Sequence, residues 1–169
     1  KTMCESDLSD EQFRVDNVLF CIPFFLRKQG YCIAGPMREF LHHVLEIRLK
    51  DQGVPVKVTW HTSCHAKREL GLGDEAKQLV RQLENVKLKE LEREDECCGF
   101  GGTFSVKQPM ISGEMVLDKC SDMLKTGSDY LLSGDCGCLM NIQGSLEKQQ
   151  SRVQSMHFAS FLWERTRGS

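Results

Sequence analysis

Residues 95–107 read Asp95-Glu96-Cys97-Cys98-Gly99-Phe100-Gly101-Gly102-Thr103-Phe104-Ser105-Val106-Lys107. Two thiols stand side by side, and neighbours in sequence rarely pair with each other. Gly99, Gly101 and Gly102 follow them, and glycine lets backbone come close to a bound group. Their amides are candidate hydrogen-bond donors to such a group. The chain holds nine cysteines in 169 residues, an odd count that fits a disulfide framework poorly. In a reducing compartment, clustered thiols more often signal metal or redox chemistry.

Moving outward from this stretch, strand and helix patterns alternate. Val86–Leu91 upstream is a β-prone run, and before it Asp74 suits the N-cap of a helix running to about Leu83. Val56–Trp60 is an earlier strand. Downstream, Pro109 fits the first turn of a helix to about Lys125, ended by Gly127. Tyr130–Ser133 is a third strand, 139–149 a helix, Val153–Met156 a fourth strand and Phe158–Arg165 a last helix. Phe40, Leu41, Val44, Leu45 and Leu49 recur at helical spacing over Arg38–Lys50. This order predicts an α/β fold with a small parallel sheet of about four strands and right-handed crossovers. Residues 1–37 show no clean period and are left unassigned; the domain is expected over 38–169.

On that plan Cys64 follows the first strand, Cys97 and Cys98 the second, and Cys136 and Cys138 the third. The C-terminal ends of parallel strands share one edge, where ligand sites gather. Three separate blocks would thus deliver thiols to one place. Thiolates brought together need cations to neutralise them. Cys64, Cys97, Cys98 and Cys138 are therefore the candidate metal ligands, with Cys136 undecided between ligand and neighbour.

The spacing also carries a resemblance. Cys64 is separated by 32 residues from Cys97-Cys98-Gly99, and a further cysteine loop ends at Cys138. This resembles the CCG cysteine-rich domain found in heterodisulfide reductases and in the iron–sulfur component of glycolate oxidase. The stretches around Cys97–Lys107, Ile111–Met115 and Cys138–Ile142 are similar to the lactate utilisation protein A group. The resemblance implies a Rossmann-like fold and an electron-transfer subunit. Such a subunit works with other subunits that oxidise L-lactate to pyruvate in the bacterial cytoplasm. It implies an iron–sulfur cluster of the 4Fe-4S type, cubane or non-cubane, with Gly99, Gly101 and Gly102 around it. Members usually carry two such domains, and this chain matches the second. The family's fullest pattern ends in Cys-x-x-Cys, but Asp135 occupies the first of those positions and Cys136 sits one residue later. A single zinc ion held by the same thiols is the alternative.

Other features read more plainly. Cys120 shares a helix face with Val116 and Leu124 and reads as a buried apolar thiol. Cys4, Cys21 and Cys32 match no ligand spacing. Asp135 reads as a turn or capping residue. His61 and His65 flank Cys64; a structural or supporting role is expected, with zinc ligation or a hydrogen bond to sulfide as the alternative. His42 and His43 read as surface residues, and His157 as a packing or capping residue. Gly99-x-Gly101-Gly102 lacks the spacing of a dinucleotide loop. No Ser/His/Asp constellation stands out, so no catalytic residue is assigned.

The net charge of −2 argues against nucleic-acid or anionic-membrane binding. Val18–Leu26, the longest apolar run, is broken by Pro23 and is under half a membrane span. The expectation is a cytoplasmic protein with no membrane span. Two further readings stay open. One is a docking or scaffold subunit, zinc-bound or metal-free, that uses the aromatic patch at Phe20, Phe24 and Phe25. The other is a thiol–disulfide enzyme using Cys97 and Cys98.

Overall fold

The computed structural model describes residues 49–68 and 74–166. The unassigned segment 1–37, its aromatic patch and its cysteines, His42, His43, and all but the end of the helix expected over Arg38–Lys50 lie outside the described residues.

Among the described residues there are four strands: β1 (Val56–Trp60), β2 (Val86–Lys89), β3 (Tyr130–Ser133) and β4 (Gln154–His157). The helices are α1 (Cys64–Arg68), α2 (Glu75–Arg81), α3 (Thr103–Lys107), α4 (Pro109–Lys125), α5 (Cys136–Lys148) and α6 (Phe158–Thr166). The strands form one sheet in the order β2-β1-β3-β4, with every pairing parallel. This is the expected α/β fold.

The apolar alternation on the strands explains the layering. Val58, Trp60 and Leu132 face one side, where they pack with Ala76, Leu79, Val80 and Leu83 around α2 and with Phe161 and Leu162 of α6. Leu131 faces the other side and packs with Val116, Cys120 and Met123 of α4 and Ile142 and Leu146 of α5. Two helices per face give three layers. From β1 the chain steps one way to β2, then back past β1 to β3. The crevice where such an open sheet reverses direction lies between β1 and β3, and ligand sites of open α/β sheets favour that crevice.

Several expected boundaries hold. Pro109 occupies the first turn of α4, and Gly127, with φ of +60°, sits just past its end. Others moved. β2 stops at Lys89, before a long loop. α5 begins at Cys136 rather than Leu139, because the Asp135 side chain caps it by accepting from the Gly137 and Cys138 amides at 2.9 and 3.1 Å. The expected capping role of Asp135 is therefore present. Asp74 stands at the head of α2 but makes no capping hydrogen bond; its carboxylate pairs with Lys77 at 3.3 Å instead. His157 ends β4, and its Nδ1 accepts from the Ala159 amide at 3.2 Å. Two short helices, α1 and α3, had no periodic signal to predict them.

A buried ion pair ties the segment before β1 to the last helix. Arg165 Nη2 reaches Asp51 at 2.8 Å, and the two side chains are 8% and 0% exposed. The same carboxylate accepts from the Gly53 and Asn85 amides at 2.9 and 2.8 Å, and Arg165 Nη1 donates to the Val54 carbonyl at 2.6 Å. Burial pulls the Asp51 carboxyl upward, but the Arg165 bond and the two amides outweigh it and hold it below the usual carboxylate value. Removing one partner of a buried pair costs about 3–5 kcal/mol. Asp51→Asn should lower unfolding stability at pH 7 by about that amount in urea denaturation. A folded-state carboxyl held below its unfolded value of about 3.9 stabilises fully at neutral pH and loses that contribution as pH falls through the folded value. The stability gap between wild type and Asp51→Asn should therefore narrow below about pH 4, and a gap independent of pH would refute the assignment.

Candidate metal centre

β1 runs directly into the site. The pairing of β1 with β3 continues one residue beyond Trp60, where the His61 amide donates to the Leu132 carbonyl at 2.9 Å. His61 is thereby fixed at the seam between the two strands. Ser63 then caps α1, its Oγ accepting from the Ala66 amide at 3.1 Å, so Cys64 opens that helix. Across the seam, Asp135 caps α5 and places Cys138 in its first turn.

Three buried groups converge there. A ring nitrogen of His61 and the sulfurs of Cys98 and Cys138 all lie within 4.8 Å of one another. His61 and Cys98 are each 1% exposed and Cys138 is 6% exposed. Cys97 and Cys64 form the adjacent part of the site. Cys97 lies within hydrogen-bonding reach of the Cys64 sulfur, and the charge of Cys64 is felt at Cys138. Of the four cysteines expected as ligands, Cys98 and Cys138 meet in this buried group, while Cys64 and Cys97 stand outside it. Cys136, one residue before Gly137 in the first turn of α5, is exposed. All six described cysteines are free thiols.

The electrostatics mark this group as unusual. The Cys138 thiol donates toward the Cys98 sulfur and, against the upward pull of burial, holds it down to about 5; His61 and the Phe100 amide help. Cys138 is correspondingly driven far above the ordinary thiol value by its bond to Cys98, by burial, and by the charges of Cys98, Asp135 and Cys64. Burial also raises Cys97, against a hydrogen bond from the Gly99 amide, and the charges of Cys98 and Cys64 push the same way as burial. Several thiols therefore share too few compensating charges. Such a set is chemically suited to a cation, because the thiolate is the ligating form.

The glycine loop is shaped to fold back on these sulfurs. Gly99 has φ of +82°, and a Cβ there would lie 2.7 Å from the Ser112 carbonyl oxygen and 2.9 Å from Met115 Cβ. Only glycine turns the chain here, and the turn sends the Gly99 amide to Cys97 Sγ at 3.3 Å. The amides nearest the site thus serve the cysteine sulfurs themselves. Gly101 and Gly102 lie exposed at the outer bend, both with positive φ. Gly137 is the matching contact on α5: a Cβ there would meet the Phe100 ring at 2.5 Å. Asn141 of α5 donates to the Cys98 carbonyl at 2.8 Å and closes the junction.

The loop that carries Cys97 and Cys98 is clamped by charge, which no motif announced. Lys119, 1% exposed, donates to the Arg93 and Glu94 carbonyls. The equally buried Asp122 accepts from the Arg93 amide at 2.9 Å. The Glu94 carboxylate takes Lys77 Nζ at 2.6 Å and the Thr62 hydroxyl beside the site. Arg93 pairs with Asp118, and Lys67 of α1 with Asp95. The same loop lines a polar cleft of about 600 Å³ that reaches Cys97. Cys120, 0% exposed in the core of α4 and α5, is the buried apolar thiol the helix pattern predicted.

Comparison with known proteins bears on these residues directly. The cysteine-rich domain family CCG matches residues 58–143, just over half of the chain. The chain belongs to that family. It is 44% identical over 124 residues to lactate utilization protein A of Lysinibacillus sphaericus, covering 73% of this chain and 54% of that protein. It is 42% identical over 133 residues to lactate utilization protein A of Halalkalibacterium halodurans, covering 78% and 54%. Against the Bacillus licheniformis protein of the same name the figures are 40% over 126 residues, 75% and 53%. The chain spans about half the length of these curated relatives. Among the described residues, no helix is long and apolar enough to cross a membrane.

Two substitutions test how this CCG-family site is held. Lys119→Met strips the buried cation from the Arg93–Glu94 carbonyls and from Asp122, and should cost about 3 kcal/mol in urea unfolding with faster proteolysis in the 90–98 loop. Gly99→Ala puts a Cβ against backbone at positive φ, and should cost about 1–3 kcal/mol and lower metal content in the purified protein. Wild-type stability in either variant would contradict the packing described.

Proposed function

We propose that this chain is the iron–sulfur, electron-carrying part of a system that oxidises L-lactate to pyruvate. The observation that carries the metal reading is the buried convergence of Cys98, Cys138 and a ring nitrogen of His61 within 4.8 Å of one another, with the Cys98 thiol held down to about 5. Cys64, Cys97, Cys98 and Cys138 are the proposed ligands, with Cys136 as a candidate fifth. The donor set suits the group, since thiolates are what iron–sulfur clusters take. The names of the relatives support the lactate assignment.

When bound, the cluster accepts and releases single electrons. The chain's own residues do the rest. The Gly99 and Phe100 amides donate toward Cys97 and Cys98 and so adjust how readily charge is added there. The core of α4 and α5 keeps water from the rear of the site. Gly101 and Gly102 form the exposed bend of the loop around it. The domain runs over 38–169, acts in the cytoplasm, and works with other subunits that bind lactate; no residue here is assigned to abstract its hydrogen.

A zinc reading shares the donor set, since zinc binds mixed thiolate and imidazole ligands. Metal analysis separates the two. Protein purified anaerobically should hold iron with acid-labile sulfide and absorb in the visible; about one zinc and no colour would establish the zinc site instead. Cys98→Ser should lose the bound iron while Cys120→Ser keeps it. Iron content unchanged in Cys98→Ser would show that the ligands are misassigned.

A further inference from the structure

The geometry points to His61 as a direct metal ligand, so that the centre is a mixed imidazole–thiolate site and not an all-cysteine one. This inference rests on the metal-site reading above and names a donor that the cysteine pattern leaves out.

The case begins with burial. Among the described residues, His61 has both ring nitrogens buried with no well-formed hydrogen bond, the Cys98 sulfur being the polar group its ring acts on. A buried polar atom left unpaired is unfavourable, and native structures seldom tolerate two on one ring without a reason. The ring is not placed there by chance packing. Its backbone is pinned to Leu132 across the β1–β3 seam, and its residue is 1% exposed. From that position one ring nitrogen falls within 4.8 Å of the sulfurs of Cys98 and Cys138. These are distances from which a single ion can contact all three atoms with small side-chain adjustments.

The donor chemistry agrees with the placement. A neutral imidazole nitrogen is the commonest protein metal ligand alongside thiolate. His65, the other histidine beside Cys64, lies on exposed α1 and is not part of the group. A neutral donor also adds a ligand without adding to the negative charge of the thiolates at a site backed by apolar core. Histidine in place of cysteine on one iron is known to raise the potential of an iron–sulfur centre. The site then has two parts. His61, Cys98 and Cys138 form a buried inner face between the strand ends, while Cys97 lines the polar cleft outside it.

The test reads the first coordination shell directly. X-ray absorption at the edge of whichever metal the anaerobically purified chain holds should show sulfur scatterers plus one nitrogen scatterer, at about 2.0–2.1 Å if the metal is zinc. The nitrogen and its imidazole multiple-scattering pattern should vanish in His61→Gln. An all-sulfur shell in the wild type would overturn the assignment while leaving the metal reading intact. Absence of iron and zinc would instead count against the metal reading. The inference is then judged on stripped protein titrated with Co²⁺ alone. His61→Gln should bind Co²⁺ at least tenfold more weakly than wild type, with altered visible bands. Equal affinity and identical bands would overturn it. Circular dichroism checks that the variant is folded. If it is not, the wild-type scattering shell decides, and a shell without nitrogen, on native metal or on Co²⁺, sinks the proposal.

Discussion

The parallel pairing of β1 with β3 is the constraint on which the site depends. One hydrogen bond beyond the end of β1, from the His61 amide to the Leu132 carbonyl, extends that pairing into the loop region. It sets the direction in which both chains leave the sheet. On one side the chain turns into α1 at Cys64; on the other it turns into α5, whose first turn holds Cys138. Because the crossovers depart in opposite directions from this seam, no helix among the described residues fills the crevice between them. The space is left for side chains from both strand ends and for the loop that follows β2.

That loop is the costly component. Cys97 and Cys98 lie well past the end of β2, so the sheet alone does not position them. Backbone outside regular structure needs other partners for its amides and carbonyls. Here Lys119 and Asp122 supply them from α4, while Glu94 reaches both Thr62 and Lys77. Burying a lysine and an aspartate is unfavourable unless they are matched, and burial does lower Lys119, opposed by the charges of Asp122 and Glu96. The clamp therefore trades stability for a defined loop, which a preorganised ligand pair requires.

The strands were legible because their apolar alternation and turn residues are local signals, and parallel topology alone put the Cys64 and Cys138 blocks at one sheet edge, while the approach of Cys97 and Cys98 depends on the clamped loop. Asp135 was legible as a cap from its residue type. The start of α5 was not, since Gly134 and Gly137 read as loop until the cap is seen to satisfy the two amides. The charged clamp was hidden for a different reason. Its partners are separated by 17 to 32 residues, and nothing in a run such as Glu90–Glu96 tells which carboxylates face inward. His61 belongs to the same class. Whether a histidine after a strand faces solvent or the seam depends on the register of β1 against β3, which the sequence does not display.

Burial alone does not distinguish the candidate ligands from the remaining thiols, and Cys120 makes this plain. Cys120 and Cys98 are almost equally inaccessible and contribute to the same apolar core. Burial dominates at Cys120 and raises its thiol against the weaker downward pull of Ser145 and Gln149, so it stays protonated; its sulfur lies 3.9 Å from the Ile142 carbonyl, outside the group of His61, Cys98 and Cys138. At Cys98 the Cys138 thiol, His61 and the Phe100 amide reverse the direction, to about 5. The difference is the company of other donors, not depth. A sulfur in apolar surroundings remains a small hydrophobe. A sulfur at the same depth, faced by a second thiol and by an imidazole with no other partner, is chemically suited to a cation.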